Sequence, residues 1–404
     1  MSASKALIIS SVHDPRMKRR GSIQAIADTL CRMGFDTTFL SIRFSPISLF
    51  KGDLRSSLWR EANRYGKAGD LKCYLWRTPF HPFTSSSDLG RKAMEPVHNL
   101  YERWPNEDVD AMIKAADLII VESGLGVALA PRIRRLNKSA RLIYRAADTL
   151  DTIGAHPHLQ ALLEQNKDRF DYFCLLGRKM APQFAWARER TFYVGQALDP
   201  HDFEDPGESP YDHDNVAISV GSMLFDADFF EVATALFPEL EFIVIGCGQA
   251  LPARANLTVL PEMKFRDTIP YIAHARVGLA PYRIASSAAY LSESSLKLTQ
   301  YAHLRLPAVC PHFAVGAFPH RFGYTPGDAN EIEHAISGAL ADDFTEPART
   351  LTWPDAVERM LDPARFPDTV IPEEMFTSGA TRSSAAGSAA VVGAWALEAR
   401  QAGR

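Results

Sequence analysis

The sequence predicts an α/β protein built from two doubly wound parallel sheets in tandem, and three observations carry that expectation. Short apolar runs of strand length alternate with stretches of helical period from Lys5 to Pro311. The alternation stops once, between Leu198 and Asn215, where DPHDFEDPGESPYDHDN is rich in Asp, Pro, Gly and Ser, and then resumes. The chain has 404 residues, 46% of them hydrophobic, which is material for two cores of ordinary size.

KALIISSVH opens as a buried strand, because an apolar run without polar alternation suits a parallel sheet covered on both faces. SIQAIADTLCRMGF has the helical period and stops near Gly34. TTFLSI and CYLWRTP then read as strands, MEPVHNLYERW and VDAMIKAAD as helices, LIIVES as a strand, VALAPRIRRLN as a helix, and RLIYRA and YFCLLG as strands. Beyond the break, strands VAISVG, EFIVIGCG, LTVLPEM, VGLAPY and PAVCP alternate with helices DFFEVATALF, DTIPYIAHA and SSLKLTQYAHL. The expected divisions are a first domain at 1–200, a linker at 201–215, a second domain at 216–360 and a C-terminal segment at 361–404. Part of that segment is expected to return to the first domain, with a helical pattern in AAVVGAWALEA and a mobile end.

Composition narrows the function classes. The five cysteines have no metal-ligand or redox spacing, which predicts a reducing compartment without disulfides or a zinc site. No window of about 18 apolar residues is present, and Met1 to Lys5 runs straight into the first strand, so neither a membrane span nor a signal peptide is predicted. A formal net charge of −4 argues against nucleic acid as partner. Between Arg16 and Lys67, however, bases outnumber acids and alternate with Phe39, Phe44, Leu49, Phe50, Trp59 and Tyr65.

Ligands of open α/β sheets bind beyond the carboxyl ends of strands. In the second half these ends carry Gly221-Ser222-Met223, Glu262-Met263, Pro281-Tyr282 and the helix start YLSESSLKLTQY. Tyr282 can offer a ring to a base, Glu262 can accept from ribose hydroxyls, and Met263 backbone groups can read a base edge. Ser294, Lys297 and Tyr301 fall at i, i+3 and i+7 and so point one way on a single helix. Its N-terminus and the Lys297 charge suit a diphosphate. In the first half Asp148 follows RLIYRAA, where it can act as a base or cap the next helix; the pattern leaves both open. Asp108/Asp110, Asp212/Asp214 and Asp226/Asp228 read as helix starts or linker rather than metal ligands, and His81, His156, His158 and His320 lack metal spacing. P-loop, nucleophile-elbow and GxGxxG motifs are absent.

The runs KGDLR, CYLWRTPFHPF, VESGLGVA, LIYRAAD, VGSMLFDADFF, PEMKFRDTIPYIAHAR, APY, SSLKLTQY, LPAVCP and RFGYTPGDA resemble, in order and spacing, the xanthan-assembly glucuronosyltransferase family, glycosyltransferase family 70. The resemblance covers residues 5 to 370, roughly. It implies a GT-B fold, two Rossmann-like domains facing across a cleft with the nucleotide-sugar on the C-terminal one. It implies inverting, metal-independent transfer of glucuronic acid from UDP-glucuronate to a mannose of a polyprenyl-diphosphate-linked oligosaccharide, with no cofactor, at the inner face of the cell membrane. Carried over by residue, the base is Asp148 and the donor contacts are Ser222, Met223, Glu262, Met263, Tyr282, Ser294, Ser295, Lys297 and Gln300, with Asp226 beside them in a matching motif. The sequence departs from the family pattern at Leu296, where methionine is expected, and at Gln183, near which a carboxylate is expected. In this light the basic and aromatic residues at 16–67 are expected to dock on the bilayer, where Phe44, Phe50 and Trp59 could enter its interface; the alternative is a solvated basic face with the aromatics in the first core. Two alternatives stand beside this reading: a transferase for another UDP-sugar, and a non-catalytic nucleotide-sugar-binding component of a polysaccharide assembly complex. Arg283, next to Tyr282, is the candidate for recognising the donor carboxylate.

Overall fold

A computed structural model describes residues 3–18, 21–285, 287–346 and 348–377; the helical pattern in AAVVGAWALEA and the chain end lie outside them. The first sheet has eight strands: β1 (Lys5–Ser10), β2 (Asp36–Phe44), β3 (Tyr65–Ala68), β4 (Leu71–Arg77), β5 (Leu118–Glu122), β6 (Arg141–Ala146), β7 (Tyr172–Leu175) and β8 (Thr191–Tyr193). They lie in the order β3-β4-β2-β1-β5-β6-β7-β8, and all pairs are parallel except the β3–β4 hairpin. After the two-residue β9 (Ala197–Leu198) come β10 (Val216–Val220), β11 (Glu241–Ile245), β12 (Leu257–Leu260), β13 (Val277–Leu279), β14 (Ala308–Pro311) and β15 (Arg321–Tyr324). These six form a parallel sheet in the order β12-β11-β10-β13-β14-β15, and β9 pairs separately with β16 (Leu351–Thr352).

Two compact units result, one running to Val194 and resuming at Val357, the other spanning Gly195–Ala356. Their central strands are buried along nearly their whole length, as continuous apolar runs require when helices cover both faces. The sequence pattern misses β3, β8 and β15, and all three are outermost strands. An edge strand is part-solvated, so YGKA, TFY and RFGY carry no continuous apolar run.

Each sheet reverses its winding at one point, between β1 and β5 in the first and between β10 and β13 in the second. Tyr301 pins the second reversal: its Oη lies 3.1 Å from the Ile218 carbonyl and 3.2 Å from that of Leu279, donating to the two parting strands. Gly278 makes room, since a Cβ there would collide with the Tyr301 ring. Tyr301→Phe is expected to cost ~1–3 kcal/mol by leaving buried carbonyls unpaired. A lower urea midpoint with unchanged slope would register that loss.

The structure divides the basic and aromatic stretch between the core and the surface. Phe39 and Phe44 are fully buried, and Trp59 packs on the Phe44, Leu58 and Leu75 cluster under the Arg77 guanidinium. Arg16 pairs with Asp14 at 2.7 Å, and Arg55 with Asp53 at 2.7 Å. Phe44 is thus a core residue and Trp59 is half-buried against it, because burying large rings favours the fold. What stays outside is Phe50, 89% exposed, with Leu49, Leu54, Lys51, Arg60, Arg64 and Lys67.

Candidate active site

YLSESSLKLTQY forms two helices rather than one. The helix Leu291–Ser294 ends, Ser295 adopts φ −68° and ψ 111°, and a second helix runs Leu296–His303. The single-face placement of Ser294, Lys297 and Tyr301 therefore does not hold. Serine drives the break, because its side chain competes with the helical ladder and caps the next helix: Ser295 Oγ accepts from the Leu298 amide at 3.2 Å. The break places a fresh helix N-terminus, with amides that no intrahelical carbonyl can satisfy, at the carboxyl end of the sheet. Tyr301 points inward to the strands instead of toward the site.

Several expected donor contacts meet around this break. Tyr282 Oη and Ser295 Oγ are 2.6 Å apart, Lys297 Nζ lies 5.6 Å from the Tyr282 ring centre, and it donates to Ser219 Oγ at 3.3 Å. The loop carrying Ser222 and Met223 is stitched to the same place: Phe225 bridges Tyr282, the Asp226 amide donates to the Pro281 carbonyl, and the Arg283 amide to that of Leu224. Gln300 follows Lys297 by three residues on one helix.

Lys297 is half-buried, with its ammonium set deep against β10, and burial pushes its pKa down to about 7. Among the described residues no carboxylate pairs with it. Ser294 Oγ is buried without a hydrogen-bond partner, and Gln300, one helical turn beyond Lys297, is 7% exposed. Unsatisfied buried polar groups are rare in native proteins, and the orphan Ser294 hydroxyl close in sequence to a helix start that carries the Lys297 ammonium marks a place built for an anionic, hydrogen-bonding ligand.

Tyr282 does not offer an open face. Its ring is 3% exposed, and burial holds its phenol well above the usual range. It acts as a post between Ser295 and Lys297. Met223, 37% exposed, and Ser222 line the loop after β10. Asp226 Oδ1 accepts from the Asp228 amide at 3.3 Å, the helix-start role of an Asp before an apolar helix, while burial and then Asp228 raise its pKa. Glu262 and Met263 follow β12, two strands from β10 and so about 10 Å away. Glu262 is exposed and stands beside Gly246, which has a φ of 65° and where an added Cβ would come within 3.2 Å of Glu262 Cα, so glycine is required there.

In the other unit, Asp148 lies two residues beyond β6 and is half-buried. The following helix starts ten residues later at His158 with Pro157 at its cap, so Asp148 does not cap it. Ser123, at the end of β5, holds the Asp148 backbone by donating to its carbonyl at 2.8 Å. Beneath lies a buried pair, Arg145 and Glu122, 3.7 Å apart, with Ser10 Oγ donating to Glu122 at 2.6 Å.

Sequence reasoning misses Ser219 and Arg321. Ser219 is a fully buried polar residue inside an otherwise apolar strand, VAISV, and that lone hydroxyl is the available signal. Arg321 donates to the carbonyls of Ser292 at 2.7 Å and Ala314 at 3.2 Å, holding the short 291–294 helix in place; nothing local in RFGY announces it. Among the described residues, no three His, Cys, Asp or Glu side chains gather closely enough to hold a metal ion.

Residues 8–176 match the model of the glucuronosyltransferase GumK N-terminal domain. The UDP-glucuronate:glycolipid 2-beta-glucuronosyltransferase of Xanthomonas campestris pv. campestris is 39% identical over 365 residues, 90% of either chain. Among solved structures, the UDP-forming α,α-trehalose-phosphate synthase of Burkholderia vietnamiensis superposes with a TM-score of 0.58 at 11% identity, covering 93% of this chain and 96% of that one. Apo OtsA gives 0.57 at 11% identity, covering 93% and 97%. At such identity the likeness is one of fold alone. Two Rossmann-like units, one with a cationic helix start at its switch point, place the chain in the GT-B class of glycosyltransferases. Within that class, the chain belongs to the glucuronosyltransferase GumK family.

Proposed function

We propose that this protein transfers glucuronic acid from UDP-glucuronate to a sugar hydroxyl of a lipid-linked oligosaccharide in exopolysaccharide assembly, with inversion and without a metal ion. The observation that carries this reading is the Lys297 ammonium, set deep with neutral partners only, beside the orphan Ser294 hydroxyl at a helix start. A diphosphate would supply the missing acceptors and charge. Lys297 and the first amides of its helix then hold the β-phosphate, Gln300 and Ser294 hydrogen-bond the diphosphate and sugar, and Glu262 accepts from the ribose.

In the transfer step, Asp148 takes the proton of the acceptor hydroxyl, whose oxygen bonds to the anomeric carbon as the carbon–oxygen bond to UDP breaks. The electron pair leaves on the β-phosphate, where Lys297 meets the growing charge, and the α-linked donor becomes a β-linked product. The acceptor in this reading is a mannose carried on polyprenyl diphosphate, reached at the inner membrane face. No helix among the described residues is long and apolar enough to cross a membrane. Bilayer contact is assigned to exposed Leu49, Phe50 and Leu54 with Lys51, Arg60 and Arg64, a narrower patch than 16–67.

Turnover with UDP-glucuronate against UDP-glucose on a lipid-linked acceptor tests the donor; preference for glucose overturns the glucuronate assignment. A chelator is expected to leave the rate unchanged. A rate lost on chelation and restored by a divalent cation overturns the metal-free step.

A further inference from the structure

A second cationic site lies in the first unit, and the transfer chemistry above does not use it. β2 is bulged near its carboxyl end: its register with β4 shifts between Ser41 and Phe44, and Arg43 sits there in a left-handed conformation at φ 60°. A bulge re-aims a side chain, and a non-glycine residue held left-handed needs its surroundings to fix it. Tyr101 does so, its Oη accepting from the Arg43 amide at 3.0 Å. The Arg43 guanidinium, half-buried, has no hydrogen-bonding or ion-pair partner among the described residues.

Its neighbours deepen the imbalance. Arg55 consumes Asp53, the acid of this cluster, at 2.7 Å, and spends its remaining donors on the Ile42 and Arg43 carbonyls at 2.9 and 3.1 Å. Lys51 lies close enough to feel the Arg43 charge, with Nζ 4.5 Å over the Phe83 ring. Three cations against one carboxylate leave an excess of two positive charges. His81 is 3% exposed, and its Nδ1 has no hydrogen-bond partner. Burial and then the nearby Arg43 push its pKa down to about 3, so the ring is neutral and has hydrogen-bonding capacity to offer without adding charge. On the outer rim stand Leu49, Phe50 and Leu54, at 43%, 89% and 60% exposure.

An anion joined to a hydrocarbon complements a cationic cluster flanked in sequence by exposed apolar side chains. We propose that Arg43, Lys51 and His81 bind the diphosphate that joins the acceptor's sugar to its lipid, with Leu49, Phe50 and Leu54 seated in the bilayer beside it. This rests on the reading of the protein as a transferase to a lipid-linked acceptor. The guanidinium matches phosphate oxygens bidentately, and its lack of a protein carboxylate leaves it ready to do so. Holding the diphosphate apart from the reacting sugar would let the enzyme recognise its acceptor by the link rather than by the glycan alone.

The test is vesicle co-sedimentation of the full-length protein. Phosphatidylcholine vesicles carry polyprenyl diphosphate, neutral polyprenol, or phosphatidylglycerol at matched charge, with inorganic pyrophosphate as competitor. Wild type is expected to bind the diphosphate vesicles about tenfold more tightly than either control, with pyrophosphate erasing the difference. Arg43→Asn keeps a residue that tolerates the left-handed turn but removes the charge, and Lys51→Gln alters an exposed side chain that folding does not need. Both are expected to lose the diphosphate preference while UDP affinity stays unchanged. Equal binding to phosphatidylglycerol, or variants that retain the preference, overturns the pocket. Failure of the function reading shows separately, as wild type that transfers no sugar to any lipid acceptor whatever its vesicle preference.

Discussion

Lys297→Met is expected to stabilise the free protein and to abolish most of its affinity for UDP. The ammonium sits deep, with Ser219 Oγ at 3.3 Å and the Tyr282 ring at 5.6 Å, and burial lowers its pKa from 10.5 to about 7. Between those two values the unfolded chain binds the proton that the folded chain has released, so stability rises with pH across that window and is lowest below about 7. Methionine fills the same volume without a charge, so melting at pH 6 should move upward and the rise toward alkaline pH should flatten. Binding runs the other way. A diphosphate favours the charged lysine, so UDP affinity falls as pH climbs above about 7, and calorimetry in buffers of different ionisation enthalpy should show proton uptake on binding. Losing one partner of such a pair costs ~2–5 kcal/mol, or about 30-fold to several thousand-fold in Kd. A methionine variant that binds UDP as tightly as wild type would return the segment to an ordinary helix.

Asp148→Asn is expected to cut turnover about 100- to 10,000-fold, the usual worth of a general base, with the UDP dissociation constant unchanged. The substitution keeps shape, and the Ser123 contact survives because it is made to the Asp148 backbone carbonyl. Asp148 belongs to the first unit and Lys297 to the second, so the two variants should separate cleanly: one binds donor and does not transfer, the other fails to bind. Retained turnover in the asparagine variant would remove Asp148 from the chemistry, and lost UDP affinity would recast it as a donor contact. The Tyr301→Phe comparison guards the Lys297 result, since it perturbs the second sheet's reversal through stability alone.

The amino-acid sequence by itself determined the alternation of strand and helix, because buried parallel strands must be apolar along their length and VAISV, EFIVI and LIIVE can be little else. It also placed Ser222, Tyr282, Lys297 and Asp148 at strand ends or helix starts, where periodicity changes and polar residues interrupt apolar runs. Of the outermost strands, β3, β8 and β15 stayed hidden and β12 did not, since a half-solvated strand seldom keeps such a run. Only the tertiary structure decided the rest. The break at Ser295 depends on a hydroxyl choosing between the helical ladder and the caps it can make, and Tyr282, 13 residues away in the chain, is what meets it. Whether a charge is paired is likewise a non-local fact. Arg16 and Arg55 look like Arg43 in sequence, yet they pair with Asp14 and Asp53, while at the β2 bulge Arg43 feels Asp53 only at a distance and no described carboxylate forms an ion pair with it. Periodicity records which face a residue occupies; what stands opposite that face is settled by the packing of distant segments, and that is where this protein's charges acquire their use.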